Sequence, residues 1–313
     1  MKVDNFLLHK GRHKKVSVSD LVMPIFVRED ITAKNPVASM PGIFQYTLDE
    51  AALKAAELEK LGIPAVILFG IPSKKDNLGS NAYTENGIVQ QAVRAIKKKT
   101  KDLIVITDCC LCEYTLDGEC GVLCENTIDN DTTRELLGKI AVSQANAGAD
   151  IIAPSGMITN MVSTIRTALN KAGYTNTKIM SYSVKYASNF YGPFREAGGS
   201  NFKGKVRSTQ IDPMNAEISI KKVLTDINEG ADITMVKPAL SYLDIISKVR
   251  AVTDIALAAY NVSGEYSMIK FAAANNAVDE IKIVNEILLS MKRAGADIII
   301  TYFAESFAKS RIS

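Results

Sequence analysis

The chain has 313 residues, 37 Lys+Arg against 34 Asp+Glu, and a formal net charge of +3. Hydrophobic residues make up 47% and charged residues 23%, which excludes a disordered chain and leaves ample material for a large core. So small a basic excess gives no nucleic-acid or acidic-membrane surface, and no apolar run approaches the ~20 residues that cross a bilayer.

The first 19 residues are polar and basic and carry the chain's two histidines, His9 and His13. They read as an N-terminal arm. They lack the apolar stretch of a secretory signal, so a cytoplasmic protein is expected. Eight short β-rich runs follow, at 21–27, 65–71, 103–109, 150–155, 178–184, 232–238, 255–262 and 297–303. Most are apolar almost without alternation, as strands buried on both faces are. Helical patterns separate them, and three end on a repeat: Ala147-Gly-Ala-Asp150, Glu229-Gly-Ala-Asp232 and Ala294-Gly-Ala-Asp297, with Leu61-Gly62 a looser copy. Glycine stops the helix and the next strand begins. Asn130-Asp131 and Asp244 sit where helix caps are expected. Eight strands alternating with eight helices predict a (β/α)8 barrel over residues 20–313, with a doubly wound open sheet as the alternative. The longest irregular stretches, 110–128 and 188–214, are long enough to be functional.

In such barrels the active site lies at the C-terminal ends of the strands. Reading those ends gives Asp108 and the cysteines after the third run, Ser155 after the fourth, Lys185 after the fifth, Lys237 after the sixth, Ser263 after the seventh and Tyr302 at the eighth. Lys237 closes the run Ile-Thr-Met-Val, and lysine rarely enters a core unless paired or reactive. Burial and a second cation, Lys185, both lower an ammonium pKa. A neutral amine can attack a ketone or aldehyde and form a Schiff base. Phosphate binding or salt bridges would also suit barrel-top lysines, and position alone leaves both open.

All five cysteines fall between 109 and 124. Such clustering suits a metal better than a disulfide framework. Cys110-x-Cys112-x7-Cys120 offers three thiolates with an open fourth position, which suits a catalytic Zn²⁺. Cys109 and Cys124 are candidates for closing a structural four-thiolate site instead. Arg195, flanked by Tyr191 and Phe194 in the loop after the fifth run, could recognise a carboxylate in bidentate fashion or simply be solvated.

Four stretches, 108–115 (DCCLCEYT), 181–195 (SYSVKYASNFYGPFR), 235–244 (MVKPALSYLD) and 260–265 (YNVSGE), resemble the porphobilinogen synthase (5-aminolevulinate dehydratase) family. The likeness spans essentially the whole chain, from Ser39-Met-Pro-Gly42 to Tyr302. It implies a (β/α)8 barrel with an arm, a homo-octamer, and condensation of two 5-aminolevulinates with loss of two waters in tetrapyrrole synthesis. By motif, Lys237 is the main Schiff-base lysine and Lys185 the second. Cys110, Cys112 and Cys120 hold zinc. Arg195 and Gln210 face one substrate carboxylate, Ser263 and Tyr302 the other. Asp108 and Ser155 lie near the reacting centre, and Tyr191 and Phe194 wall the pocket. Magnesium at a structural or allosteric site is a further expectation.

The sequence departs from the family pattern at a few positions. Gly156 replaces an active-site aspartate, and Val206 stands where a second carboxylate-binding arginine is expected, with Arg207 or Lys205 as possible substitutes. Asp117 and Glu119 replace two histidines, and Ala239, Ser241 and Asn261 are smaller changes. These leave three readings: an active synthase, a paralogue forming an imine with another amino ketone or keto acid, and a non-catalytic member. Retention of both lysines argues against the third.

Overall fold

The computed structural model describes residues 2–8, 15–125, 127–202 and 209–312. His9, His13, Lys205, Val206 and Arg207 lie outside the described residues. Eight parallel strands close on themselves: β1 (Leu21–Arg28), β2 (Ala65–Ile71), β3 (Ile104–Cys109), β4 (Ile151–Pro154), β5 (Lys178–Lys185), β6 (Ile233–Lys237), β7 (Ala256–Asn261) and β8 (Ile298–Thr301). Closure is made by β1 on β8, with Leu21 opposite Ile299 and Val22 opposite Ile300. A closed sheet has no open edge, which excludes the doubly wound alternative. Leu21 to Val27 are all buried, the pattern of a strand with the barrel interior on one face and helices on the other.

The helices are α1 (Lys2–Leu8), α2 (Leu48–Lys60), α3 (Ile88–Lys99), α4 (Asn130–Asn146), α5 (Met161–Lys171), α6 (Gly192–Ala197), α7 (Glu217–Asn228), α8 (Leu243–Val252), α9 (Ser263–Ala274), α10 (Glu280–Ala294) and α11 (Ala304–Ile312). In α3 the buried Ile88, Val89, Ala92, Val93 and Ile96 fall at helical spacing and make one apolar stripe against the sheet. None of the described helices is long and apolar enough to cross a membrane. Val3, Phe6 and Leu7 of α1 pack against the barrel core.

The Gly-Ala-Asp repeat has a structural job. Gly148, Gly230 and Gly295 adopt φ of +103°, +104° and +120°, where a side chain would strain the turn. The aspartate that follows each one ties three elements. Asp150 Oδ2 accepts from Val105 N of β3 and pairs with Lys97 of α3. Asp232 Oδ2 accepts from Ile179 N of β5 and Arg166 of α5. Asp297 Oδ2 accepts from Leu257 N of β7 and Arg250 of α8. All three lie at the base of the barrel, so the repeat builds the scaffold and leaves the mouth for chemistry.

Several sequence expectations need correction. The cap of α4 is Asp129, whose side chain accepts from Asp131 N and Thr132 N, not Asn130 or Asp131. Asp244 makes no cap, since α8 begins one residue earlier at Leu243. The loop after β5 holds helix α6, and the 110–128 stretch holds a small hairpin, Leu123–Cys124 with Thr127–Ile128. Two further short strands, Asn35–Pro36 and Phe44–Tyr46, extend the sheet beside β1, and α11 follows the last strand.

Candidate active site

Lys185 ends β5, Lys237 ends β6, and the two stand opposite each other in register. Each is only 5% exposed. Lys185 Nζ donates to the Ser155 carbonyl at 2.8 Å. Lys237 Nζ sits inside four aromatic rings, with centroids at 4.4 Å (Tyr260), 5.1 Å (Tyr182), 5.1 Å (Phe194) and 5.3 Å (Tyr191). Burial, then the charge of Lys185, pull the Lys237 ammonium down to about 7, against the opposing pull of Asp108. The rings also favour the cation. They moderate the fall without reversing it, because Lys237 has lost nearly all its water.

Asp108, near the end of β3, is the neighbouring carboxylate. Its Oδ2 accepts from Ser155 Oγ at 3.2 Å, and its buried Oδ1 has no partner among the described residues. Burial, then the adjacent Glu113, push it up to about 7. Lys185, Lys237, Asp108, Ser155, Tyr191, Phe194, Arg195 and Gln210 all line one narrow cavity, joined by Cys112. It is a tight cavity of about 20 Å³, little more than the room of one water. A wider groove between α4 and α5, lined by Val142, Ala168 and Tyr174 among others, lies on the outer wall and carries none of these groups.

Ser263 and Tyr302 stand behind that lining. Tyr302 Oη lies 3.3 Å from Tyr260 Oη, on the far side of the Lys237 ring cage. Ser263 Oγ accepts from Phe194 N at 3.0 Å and donates to the Phe190 carbonyl at 3.1 Å, fixing α6 over the mouth. Gly264 permits this approach. A Cβ there would fall 2.7 Å from Phe190 Cα and 2.7 Å from its carbonyl oxygen. Tyr191 Oη donates to the Tyr186 carbonyl at 2.8 Å, and Phe194 packs edge-on against Phe69 at 5.0 Å.

Cys110, Cys112 and Cys120 are buried with their sulfurs within 4.8 Å of one another, and Cys110 Sγ is 3.4 Å from Cys112 Sγ. Zn–S bonds of about 2.3 Å place tetrahedral sulfurs about 3.8 Å apart, so a small adjustment seats the ion. Neither spare thiol belongs to this group. Cys109 Sγ donates to the Leu137 carbonyl at 3.6 Å, and Cys124 is exposed on the hairpin. Gly156 faces Cys120, but an added Cβ would meet nothing nearer than 3.4 Å, so packing does not impose the glycine. Asp117 Oδ1 accepts from Glu119 N at 2.7 Å and shapes the turn at Gly118.

Five residues of the site, Tyr182 of the ring cage among them, are not singled out by the sequence. Glu113 lines the cavity with a carboxylate 3.1 Å from Cys112 Sγ. Ser200 and Phe69 line it too. Tyr260 makes the shortest ring contact to Lys237 from within β7. Glu113 and Tyr260 fall inside the quoted family stretches, while the cross-barrel meeting of side chains has no local sequence signal.

The family profile described as Delta-aminolevulinic acid dehydratase matches residues 2–310. A curated Delta-aminolevulinic acid dehydratase of Halalkalibacterium halodurans is 52% identical over 299 residues, covering 95% of this chain and 91% of the relative. One from Archaeoglobus fulgidus is also 52% identical, with 95% and 92% covered. A crystal structure of the Toxoplasma gondii delta-aminolevulinic acid dehydratase (porphobilinogen synthase), in complex with the product porphobilinogen, superposes with a TM-score of 0.93. It shares 38% identity and covers 96% of this chain and 87% of that one. Coverage from one terminus to the other, at such identity and with the barrel-mouth lysines in register, places the chain in the delta-aminolevulinic acid dehydratase family.

Proposed function

We propose that the chain is a porphobilinogen synthase, a hydro-lyase of porphyrin and heme biosynthesis that condenses two 5-aminolevulinates with loss of two waters. The observation that carries the chemistry is the pair of buried lysines closing adjacent strands, one of them ringed by four aromatic side chains. A neutral Lys237 amine attacks the ketone carbon of one substrate. The carbinolamine expels one water and leaves a protonated imine. Lys185 does the same for the second substrate, so one water per imine accounts for both waters lost; the C–C and C–N bonds that then join the two substrates replace the two lysine C–N bonds, and both lysines leave as free amines. The rings around Lys237 Nζ favour the cationic imine as they favour an ammonium, so the cage stabilises the electrophile once formed.

Arg195 and Gln210, on the rim of the same cavity, suit one substrate carboxylate. Ser263 and Tyr302 suit the other. Asp108 and Ser155, already hydrogen-bonded to each other, stand beside the lysines where protons are gained and lost. Tyr191 and Phe194 keep water off Lys237. Cys110, Cys112 and Cys120 fit a zinc ion by donor type, spacing and burial. Bound there, the ion supplies Lewis-acid polarisation of a substrate oxygen. Five cysteines clustered around a metal-type site, rather than spread as a disulfide framework, suit a reducing compartment and so support a cytoplasmic location. Family membership supports a homo-octamer in which residues 1–19 act as an arm on a neighbouring subunit, with magnesium at a structural or allosteric site. Light scattering with and without magnesium checks the assembly.

Incubation of the zinc-loaded protein with 5-aminolevulinate tests the reaction. Porphobilinogen, measured by its colour with an aromatic aldehyde reagent in acid, is the expected product. Consumption of 5-aminolevulinate without porphobilinogen, or no consumption, would refute the reading.

A further inference from the structure

Three polar side chains at the barrel mouth have no part in the reading above. Asn261, Glu265 and Thr301 are each 0% exposed. Glu265, in the first turn of α9, is bonded on both sides. Its Oε1 accepts from Leu240 N at 2.9 Å, in the turn that follows Lys237. Its Oε2 accepts from Val262 N at 3.0 Å and Asn261 Nδ2 at 2.8 Å, just before Ser263. Asn261 Oδ1 then accepts from Thr301 Oγ1 at 2.8 Å. Thr301 Oγ1 in turn accepts from Phe303 N at 3.1 Å, which fixes the turn with Tyr302 at its centre. One unbroken chain of hydrogen bonds thus joins the turn after Lys237 to both Ser263 and Tyr302.

A buried carboxylate is costly, and burial pushes Glu265 up to about 7 despite the donors around it. Glu265 caps α9 through Val262 N, and it is also the carboxylate that ties the mouth, at the end of the barrel opposite the aspartates of the repeat. We propose that Glu265, Asn261 and Thr301 are positioning residues that set the distance from the Lys237 amine to the carboxylate-binding pair Ser263 and Tyr302, and so select keto acids of one chain length. This inference rests on the imine reading and on the carboxylate role of that pair. The selected spacing is that of a 4-oxo acid, as in 5-aminolevulinate.

Borohydride trapping with three probes tests it: 4-oxopentanoate, the longer 5-oxohexanoate, and 2-pentanone, which has no carboxylate. Wild-type protein should trap 4-oxopentanoate fastest. Thr301→Val is isosteric but removes both hydrogen bonds of the hydroxyl. It should narrow the preference for 4-oxopentanoate over 5-oxohexanoate by about fivefold, the range of one or two lost hydrogen bonds. The 2-pentanone rate should stay within twofold, and Thr301→Ser should restore the preference. A general packing defect would slow all three probes together and leave the ratio intact, and that result overturns the proposal, as does an unchanged ratio with unchanged rates. If Thr301→Val shows no cooperative melt, Glu265→Gln, which sets an amide against backbone N–H donors, takes its place with the same expected outcomes. Wild-type protein that traps none of the probes refutes the imine reading itself, a failure distinct from a preference that survives the mutation.

Discussion

The acidity of Lys237 gives the sharpest quantitative expectation. An ordinary lysine titrates near 10.4, so at pH 7 only about one molecule in 2,500 carries a neutral amine. With its pKa lowered to about 7, roughly half of the Lys237 amines are neutral at that pH. Imine formation should therefore run about a thousandfold faster at pH 7 than at an unperturbed lysine. The sign follows from the direction of the shift. The reactive form is lost as pH falls through about 7 and is fully present well above it. Single-turnover trapping with 4-oxopentanoate and cyanoborohydride, followed from pH 5 to 10 by intact mass, should rise and then level off above pH 8. Lys185→Met removes the second cause of the shift and should move the midpoint upward. Tyr260→Leu removes the nearest ring, which favours the cation, and should move it downward. A trapping rate that climbs without levelling to pH 10 would refute the lowered pKa. A midpoint unmoved by Lys185→Met would refute the electrostatic coupling across β5 and β6.

Other outcomes follow from the same geometry. Cys110→Ala and Cys112→Ala should each abolish stoichiometric zinc binding, measured by metal analysis after dialysis. Wild-type zinc affinity should fall with falling pH, because thiolates must deprotonate to bind. Arg195→Met should raise KM for 5-aminolevulinate by about 10- to 100-fold, the worth of a charge-assisted contact, and an unchanged KM would remove Arg195 from the carboxylate site. At the base of the barrel, Lys292 and Asp20 form a buried ion pair at 2.9 Å between α10 and the entry to β1. Lys292→Met leaves the carboxylate unpaired and should cost about 3–5 kcal/mol in urea unfolding while sparing trapping at Lys237. Gly264→Ala should slow turnover, since its Cβ would push Phe190 and the α6 cover away from the mouth.

The barrel was legible because its signals are local. Uninterrupted apolar runs mark strands buried on both faces, and Gly148, Gly230 and Gly295 mark helix ends by their positive φ. The ends of β5 and β6 at Lys185 and Lys237 also followed from the sequence, because an apolar run closing on lysine is conspicuous. The cap of α4 falls at Asp129, one residue before the expected pair, because three short polar side chains in a row can each cap and only the backbone selects among them. Helix α6 lies in a stretch that reads as loop, since Gly192-Pro193 resembles a breaker, although proline is well placed in a first helical turn. Spacing along the chain leaves Cys109 and Cys124 as candidates to close a four-thiolate site. The fold turns Cys109 toward Leu137 and leaves Cys124 on the hairpin. Of the ring cage the sequence offers only Tyr191 and Phe194 as pocket walls; their meeting with Tyr182 and Tyr260, and the Glu265 network, join residues from three or more elements, and no spacing along the chain encodes such a meeting.

The central claim is that the amine at the end of β6 bonds covalently to one substrate, as Lys185 does to the other. Isotope-labelled 5-aminolevulinate reduced onto the protein with borohydride, followed by proteolysis and tandem mass spectrometry, reads this directly. The label should sit on Lys237 in wild type and vanish from that peptide in Lys237→Met. Label found on surface lysines while Lys237 stays unmodified would contradict the account.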